Sequence, residues 1–213
     1  MNTESQQPIR MCKRFRGFLP IVVDVETGGI DASTDALLEI AMVKLHYDQN
    51  GLFTRGDTHH WHIKPFEGAK LNPKALEINK IVPDHPFRFA VDEKDALTEM
   101  FQLIKEDVKE RQCQRAVLVG HNAWFDLAFI MAAAKRCKFK NTPFHSFTTF
   151  DTATLAGAIY GETVLAKAMK AAGMEFDQNL AHSAIYDTEK TADLFCHMMN
   201  NLPSPPKKGE GEI

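Results

Sequence analysis

The run Phe18-Leu-Pro-Ile-Val-Val-Asp-Val25 constrains the fold more than any other stretch of the chain. It is apolar and rich in β-branched residues, as a strand buried in a sheet requires. Yet it carries Asp24 and runs directly into Glu26. Side chains two apart on a strand project from one face, so both carboxylates point together. Two like charges at the end of an apolar strand are costly unless a cation offsets them. Hard oxygen ligands so placed suit Mg²⁺ or Mn²⁺. Taken in isolation, the pair is better read as a solvated strand terminus.

Around this strand the chain divides into two patterns. Glu26-Thr-Gly-Gly29 marks a tight turn, Leu38–Leu45 reads as a second strand, and Asp48-Gln-Asn-Gly51 supplies a hairpin signal. A third strand fits His59–Ile63, so the sheet opens antiparallel or mixed. The second half alternates helix and strand. Asp92–Lys109 is helical, with Leu97, Phe101, Ile104 and Val108 on one face. Ala116–Gly120 is an apolar strand, Ala123–Arg136 a helix, and Phe147–Phe150 a strand. Helices follow over 152–160, 164–172 and 184–200. This order indicates an α/β domain with helices packed on a central sheet.

At 213 residues the chain suits one domain with a sizeable core. Residues 1–9 read as a flexible start, 10–202 as the folded domain, and the Pro-, Gly- and charge-rich 203–213 as a disordered tail. Four scattered cysteines form no C-x-x-C pair, which excludes a zinc knuckle of that spacing and a small disulfide framework. The N-terminus has no apolar signal region, and no run approaches the roughly 20 apolar residues that span a bilayer. The expectation is a reduced, cytoplasmic protein with no membrane contact. A formal charge of −3 weighs against a nucleic-acid partner, although net charge hides distribution.

Phosphate-loop, dinucleotide-binding, nucleophile-elbow and zinc-protease motifs are absent. What remains is acidic residues where strands end and helices begin. His121-Asn-Ala-Trp-Phe-Asp126 follows the strand ending at Gly120, and puts Asp126 in the first turns of a helix. His182-Ser-Ala-Ile-Tyr-Asp187 opens the last helix with His182 at its entrance and Asp187 a turn inside. Each fragment alone is matched by a capping or structural role. Together with Asp24 and Glu26 they supply four carboxylates and a histidine able to accept a proton near neutral pH. That set suits two-metal phosphodiester hydrolysis.

Val23-Asp-Val-Glu-Thr-Gly28, His121-Asn-Ala-x-Phe-Asp126 and His182-Ser-Ala-x-x-Asp187 resemble the three motifs of the DEDD exonuclease superfamily, and the histidine points to its DEDDh branch. Over about residues 10–200 the chain is similar to the ribonuclease T family, through Arg14-Phe-Arg-Gly-Phe18, Met131-Ala-Ala-Ala134, Phe150-Asp-Thr-Ala-Thr-Leu-Ala-Gly157 and Ala181-His-Ser-Ala-x-Tyr-Asp-Thr-Glu189. The resemblance implies a ribonuclease H-like fold and 3′-to-5′ trimming of tRNA and other stable RNA precursors, with single-stranded DNA also digested. It implies Asp24, Glu26, Asp126 and Asp187 as ligands of two Mg²⁺, with Mn²⁺ a substitute, and His182 as general base. It further implies a homodimer in which a basic patch on one subunit guides substrate to the other's active site. Two bound Mg²⁺ would move the net charge from −3 to about +1. Asp151 is expected to be structural.

Three basic clusters are candidates for substrate contact: Arg10, Lys13, Arg14 and Arg16; Lys135, Arg136, Lys138 and Lys140; and Lys109, Arg111 and Arg115, which reads equally as a solvated face. Arg14, Arg16, Arg115 and Lys140 are the expected phosphate contacts. Phe125 and Phe147 are the expected stacking residues, each worth roughly 1–3 kcal/mol on an unpaired base. Ile30 and Ile78 stand where the family pattern has aromatic wedges, and Lys74 where it has an acidic residue. The rival readings are a proofreading exonuclease, an oligoribonuclease, or a non-catalytic RNA-binding scaffold whose acids merely cap helices.

Overall fold

The computed structural model describes residues 11–203. The expectations for residues 1–9, for Arg10 and for the tail beyond Pro203 lie outside the described residues. In chain order the elements are α1 (Met11–Arg14), β1 (Phe18–Thr27), β2 (Leu37–Tyr47), β3 (Phe53–His62), α2 (Pro73–Asn79), α3 (Glu93–Glu110), β4 (Arg115–Gly120), α4 (Trp124–Arg136), β5 (Phe144–Asp151), α5 (Thr152–Tyr160), α6 (Leu165–Ala171) and α7 (Ala184–Asn201). The sheet order is β3-β2-β1-β4-β5. β1 pairs antiparallel with β2 and β2 with β3, while β4 and β5 continue parallel to β1. The mixed sheet and the flanking helices match the α/β reading and the ribonuclease H-like expectation.

β1 is central, which is why its sequence is a continuous apolar run. Leu19, Ile21, Val22 and Val23 are fully buried. Helices cover both faces. On one face, the Trp61 indole of β3 donates to Glu99 of α3 at 2.9 Å. On the other, Thr58 donates to Glu189 of α7 at 2.7 Å, and α7 crosses β1, β2 and β3. Phe195 anchors α7 among Phe15, Phe53 and Phe150, with centroids 6.4, 6.3 and 6.1 Å away. A smaller core of Ala156, Ala168, Met169, Leu194 and Met198 joins α5 and α6 to α7.

Two strand starts differ from expectation, and two short helices were not foreseen. β3 starts at Phe53 rather than His59, because Asp48 accepts the N–H groups of Asn50 and Leu52 and closes the hairpin early. Its first half, Thr54-Arg-Gly-Asp57, is too polar to announce a strand. β5 begins at Phe144, and irregular pairing after that residue hides its start. The two helices not foreseen, α1 and α2, are only 4 and 7 residues long, and α2 buries none of its residues. Such elements lack the apolar stripe that reveals a helix.

One member of the expected basic patch turns inward. Arg136 clamps Glu93 of α3 through two bonds of 3.1 and 2.7 Å, donates to the Ala32 carbonyl at 2.9 Å, and lies 4.1 Å over the Phe66 ring. The Glu93 side chain is only 6% exposed, so Arg136 is a structural tie and not a phosphate contact. Removing one partner of such a pair strands a buried charge. Arg136→Ala should therefore cost about 3 kcal/mol in urea unfolding, while Lys135→Ala on the exposed side stays within about 0.5 kcal/mol. Equal effects would contradict this assignment.

Candidate active site

The site forms where β1, β4 and α7 end or begin together. Along β1 the burial alternates, with Val23, Val25 and Thr27 sealed and Asp24 and Glu26 partly open on the same face. Beyond the last paired residues, Val22 and Val119, the parallel strands diverge and α4 enters the gap. The buried Asp126, in the first turn of α4, accepts the Val25 N–H at 3.0 Å. This bond fixes the α4 carboxylate between the two β1 carboxylates. A Cβ on Gly120 would stand 3.1 Å from Asp126 Oδ2 and from the Ala123 backbone. Any larger residue here would push the turn and Asp126 back by a few tenths of an ångström.

Asp187 arrives from the opposite face. Ser183 caps α7, and His182 just before it has φ +64°. This left-handed conformation turns the His182 N–H onto Asp187 Oδ2 at 2.8 Å. Asp187 Oδ1 is buried without a hydrogen-bond partner. One ligand oxygen from each of Asp24, Glu26 and Asp187 lies within 4.8 Å of the others. An unpartnered carboxylate oxygen facing two more carboxylates fits a divalent cation, and the all-oxygen donor set is that of a hard ion.

The electrostatics express the same crowding. Burial raises Asp24 well above the usual carboxylate range, and the charges of Asp126, Glu26 and Asp187 add to it. Burial, then Asp187 and Glu39, push Glu26 up to about 8, against a hydrogen bond from Asn79. Burial also raises Asp126, opposed by the Val25 N–H, and Asp187, opposed by the His182 N–H.

Asp151 is the N-cap of α5 and also accepts the Asn122 N–H at 2.8 Å. It holds the loop leading to Asp126, in the structural role expected of it. His121 is likewise fixed, between Thr152 Oγ1 at 3.0 Å and the Thr163 carbonyl at 2.8 Å.

Several neighbours of the site were not legible in the sequence. Asn79, at the end of α2, donates to the Thr27 carbonyl at 3.1 Å and lowers the pKa of the Glu26 carboxyl from beside it, docking α2 at this strand end. A cleft of about 350 Å³ runs from His182 and Ser183 past Asn79, Lys80 and Glu39 to Arg88. Glu39 of β2 stands opposite Glu26 across the β1–β2 ladder and opposite His62 across β2–β3. It accepts from His62 at 2.8 Å and approaches His60 at 3.4 Å. Burial pushes Glu39 up, but the two imidazoles outweigh it and hold it below its usual range. This carboxylate already has hydrogen-bond partners. A lone Glu in an apolar strand and alternate histidines were the only sequence signals, and register alone joins them.

The expected substrate contacts do not converge on the carboxylates. Arg115 starts β4 opposite Phe18, and the Gln114 N–H donates to the Gly17 carbonyl at 2.7 Å. Arg14, Arg16 and Arg115 therefore gather at the start of the parallel strands. Lys140 precedes β5 at the same end, where the Ala116 N–H donates to the Pro143 carbonyl at 3.1 Å. Six residues of β1 separate that end from Asp24, about 20 Å along the strand. Phe125 is partly buried against Phe129 at 4.9 Å. Phe147 is 81% exposed on the edge strand beside His145. Ile30 and Ile78 are 87% and 57% exposed.

Comparison with known proteins is consistent with this geometry. The family model described as exonuclease, RNase T, matches residues 21–195. Ribonuclease T of Vibrio campbellii is 56% identical over 199 residues, 93% of each chain. That of Marinobacter nauticus is 55% identical over 212 residues, 97% of this chain and 96% of the other. Among solved structures, a 3′-exonuclease that recognises the histone mRNA stem-loop aligns with TM-score 0.66 at 18% identity, over 85% of this chain and 82% of that one. Exonuclease I of E. coli in complex with a dT13 oligonucleotide aligns with TM-score 0.63 at 17% identity; the match covers 84% of this chain but only 40% of exonuclease I. At such identities the structural matches establish the fold.

The raised carboxylates predict a pH dependence. Each binds protons more tightly in the folded than in the unfolded chain, so without a cation stability falls as pH rises. For Glu26 the window runs from about 4.5 to about 8. Thermal melting in EDTA should show the melting temperature dropping across this window, Glu26→Gln should flatten the drop, and Mg²⁺ should stabilise more at pH 8 than at pH 5. A uniform Mg²⁺ shift at all pH values would contradict it.

Proposed function

The chain belongs to the ribonuclease T family of exonucleases, and on that premise we propose that it removes nucleotides one at a time from single-stranded 3′ ends of tRNA and other stable RNA precursors. It is a 3′-to-5′ exoribonuclease; single-stranded DNA is a second substrate in this reading, and nucleoside 5′-monophosphates are the products. The observation that carries it is the convergence of Asp24, Glu26 and Asp187 within 4.8 Å, with Asp126 tied to the same strand end.

We assign Asp24, Glu26, Asp126 and Asp187 as the residues that hold two Mg²⁺, for which Mn²⁺ can substitute. Bound there, such ions lower the pKa of water and offset charge on the leaving oxygen. The chain's own groups do the rest. The Val25 N–H keeps Asp126 in place, and Asn79 orients Glu26. His182 is exposed at the rim of the cleft and anchored through its own N–H to Asp187. We assign its imidazole as the base that takes the proton from the attacking water.

The separation of the basic patch from the carboxylates supports a homodimer. Arg14, Arg16, Arg115 and Lys140 lie about 20 Å down the sheet from Asp24, too far to position the terminal phosphodiester of the same subunit. In a dimer they would grip RNA whose 3′ end enters the partner's site. The four cysteines are free thiols, and no described helix is long and apolar enough to cross a membrane, in keeping with a cytoplasmic location.

The test is an end-labelled RNA panel with Mg²⁺, resolved to one nucleotide, using a tRNA with a short 3′ extension, a dinucleotide and a mismatched DNA primer. We expect stepwise shortening of the tRNA extension in preference to the other two. Asp24→Asn should abolish trimming with RNA binding retained, and His182→Ala should slow it about 10²–10⁴-fold. A loss below tenfold would assign the proton to another acceptor, and preference for the dinucleotide or the primer would favour the rival exonuclease classes.

A further inference from the structure

Trp124 has no role in the site described so far, although it opens the helix that carries Asp126. It is 67% exposed. Its one aromatic neighbour, Phe125, meets it perpendicularly, with centroids 5.8 Å apart at 90°. Phe125 is itself packed on buried Phe129. The indole is thus braced from below by the core while most of its surface faces water. A large aromatic ring presented in this way is the form of a stacking platform for an unpaired base.

Its position matches that use. Helical side chains lean toward the N-terminus, which at α4 is the end of the sheet where the carboxylates lie. Two residues on a helix turn about 200°, so Trp124 points away from Asp126 and outward from the metal cavity. It is therefore set beside the carboxylates rather than among them, at the same end of the sheet. Ile30 and Ile78, 87% and 57% exposed, are aliphatic and offer no π face. The stacking that the chain lacks at those two positions is available at Trp124.

We propose that Trp124 is a substrate-binding residue that stacks on an unpaired nucleobase upstream of the scissile bond, and that it sets the preference for longer single strands over dinucleotides. The inference rests on the exonuclease reading above. Because Trp61 is 8% exposed and bonded to Glu99, Trp124 is the tryptophan whose fluorescence a bound strand can reach. The experiment titrates a twelve-nucleotide RNA into the EDTA-treated protein, following tryptophan fluorescence and the anisotropy of a labelled strand together, and then measures turnover with Mg²⁺.

Binding should quench fluorescence in step with anisotropy. In Trp124→Ala, kcat/KM for the twelve-nucleotide strand relative to a dinucleotide should fall roughly 5- to 100-fold, through KM rather than kcat, and Trp124→Phe should recover part of the loss. Unchanged fluorescence on a bound strand, or an unchanged ratio in Trp124→Ala, would overturn the proposal while leaving the exonuclease reading intact. A wild-type protein that binds the strand but releases no nucleotide would instead contradict the exonuclease reading, and this assignment with it.

Discussion

Crowding of acids at one end of β1 is the constraint on which the rest of the structure turns. Asp24 and Glu26 sit two apart on a central strand, Asp126 is bonded to the amide between them, and Asp187 comes down from the other face. In water such a group would spread apart. Here the strand is locked by neighbours on both sides, Gly120 lets the α4 turn close on Asp126, and the inverted backbone at His182 pins Asp187. Like charges held together in a partly dry place raise one another's pKa values. A divalent cation would relieve that strain, so this packing favours binding one.

Much of this was readable before any coordinates. The four acids and His182 each stand where a strand ends or a helix starts, and those boundaries follow from strong periodicity. β1, β2, α3, β4, α4 and α7 all carry it. What escaped the sequence has a common physical cause. α2 buries no side chain and shows no stripe, so Asn79 and Lys80 could not be placed near the site. Glu39 and His62 are 23 residues apart and meet only through strand register. Arg136 sits in a basic run that looks solvated, yet its partners Glu93 and Ala32 are distant in sequence. Local pattern reports elements, and long-range pairing decides which side chains share a pocket.

The geometry also changes how the overall charge is understood. A net −3 is not spread evenly: Asp24, Glu26 and Asp187 converge within 4.8 Å with Asp126 tied to the same strand end, while Arg14, Arg16, Arg115 and Lys140 gather at the far end of the sheet. This polarity suits a polyanion bound at one end of the molecule and cut at the other end of a neighbouring copy.

The most direct measurement is the anomalous scattering of Mn²⁺ in crystals of the protein, with a non-hydrolysed strand present. The account predicts metal density bounded by Asp24, Glu26, Asp126 and Asp187, lost in Asp24→Asn. Density at Glu39, His60 and His62 instead, or none between the four acids, would contradict it.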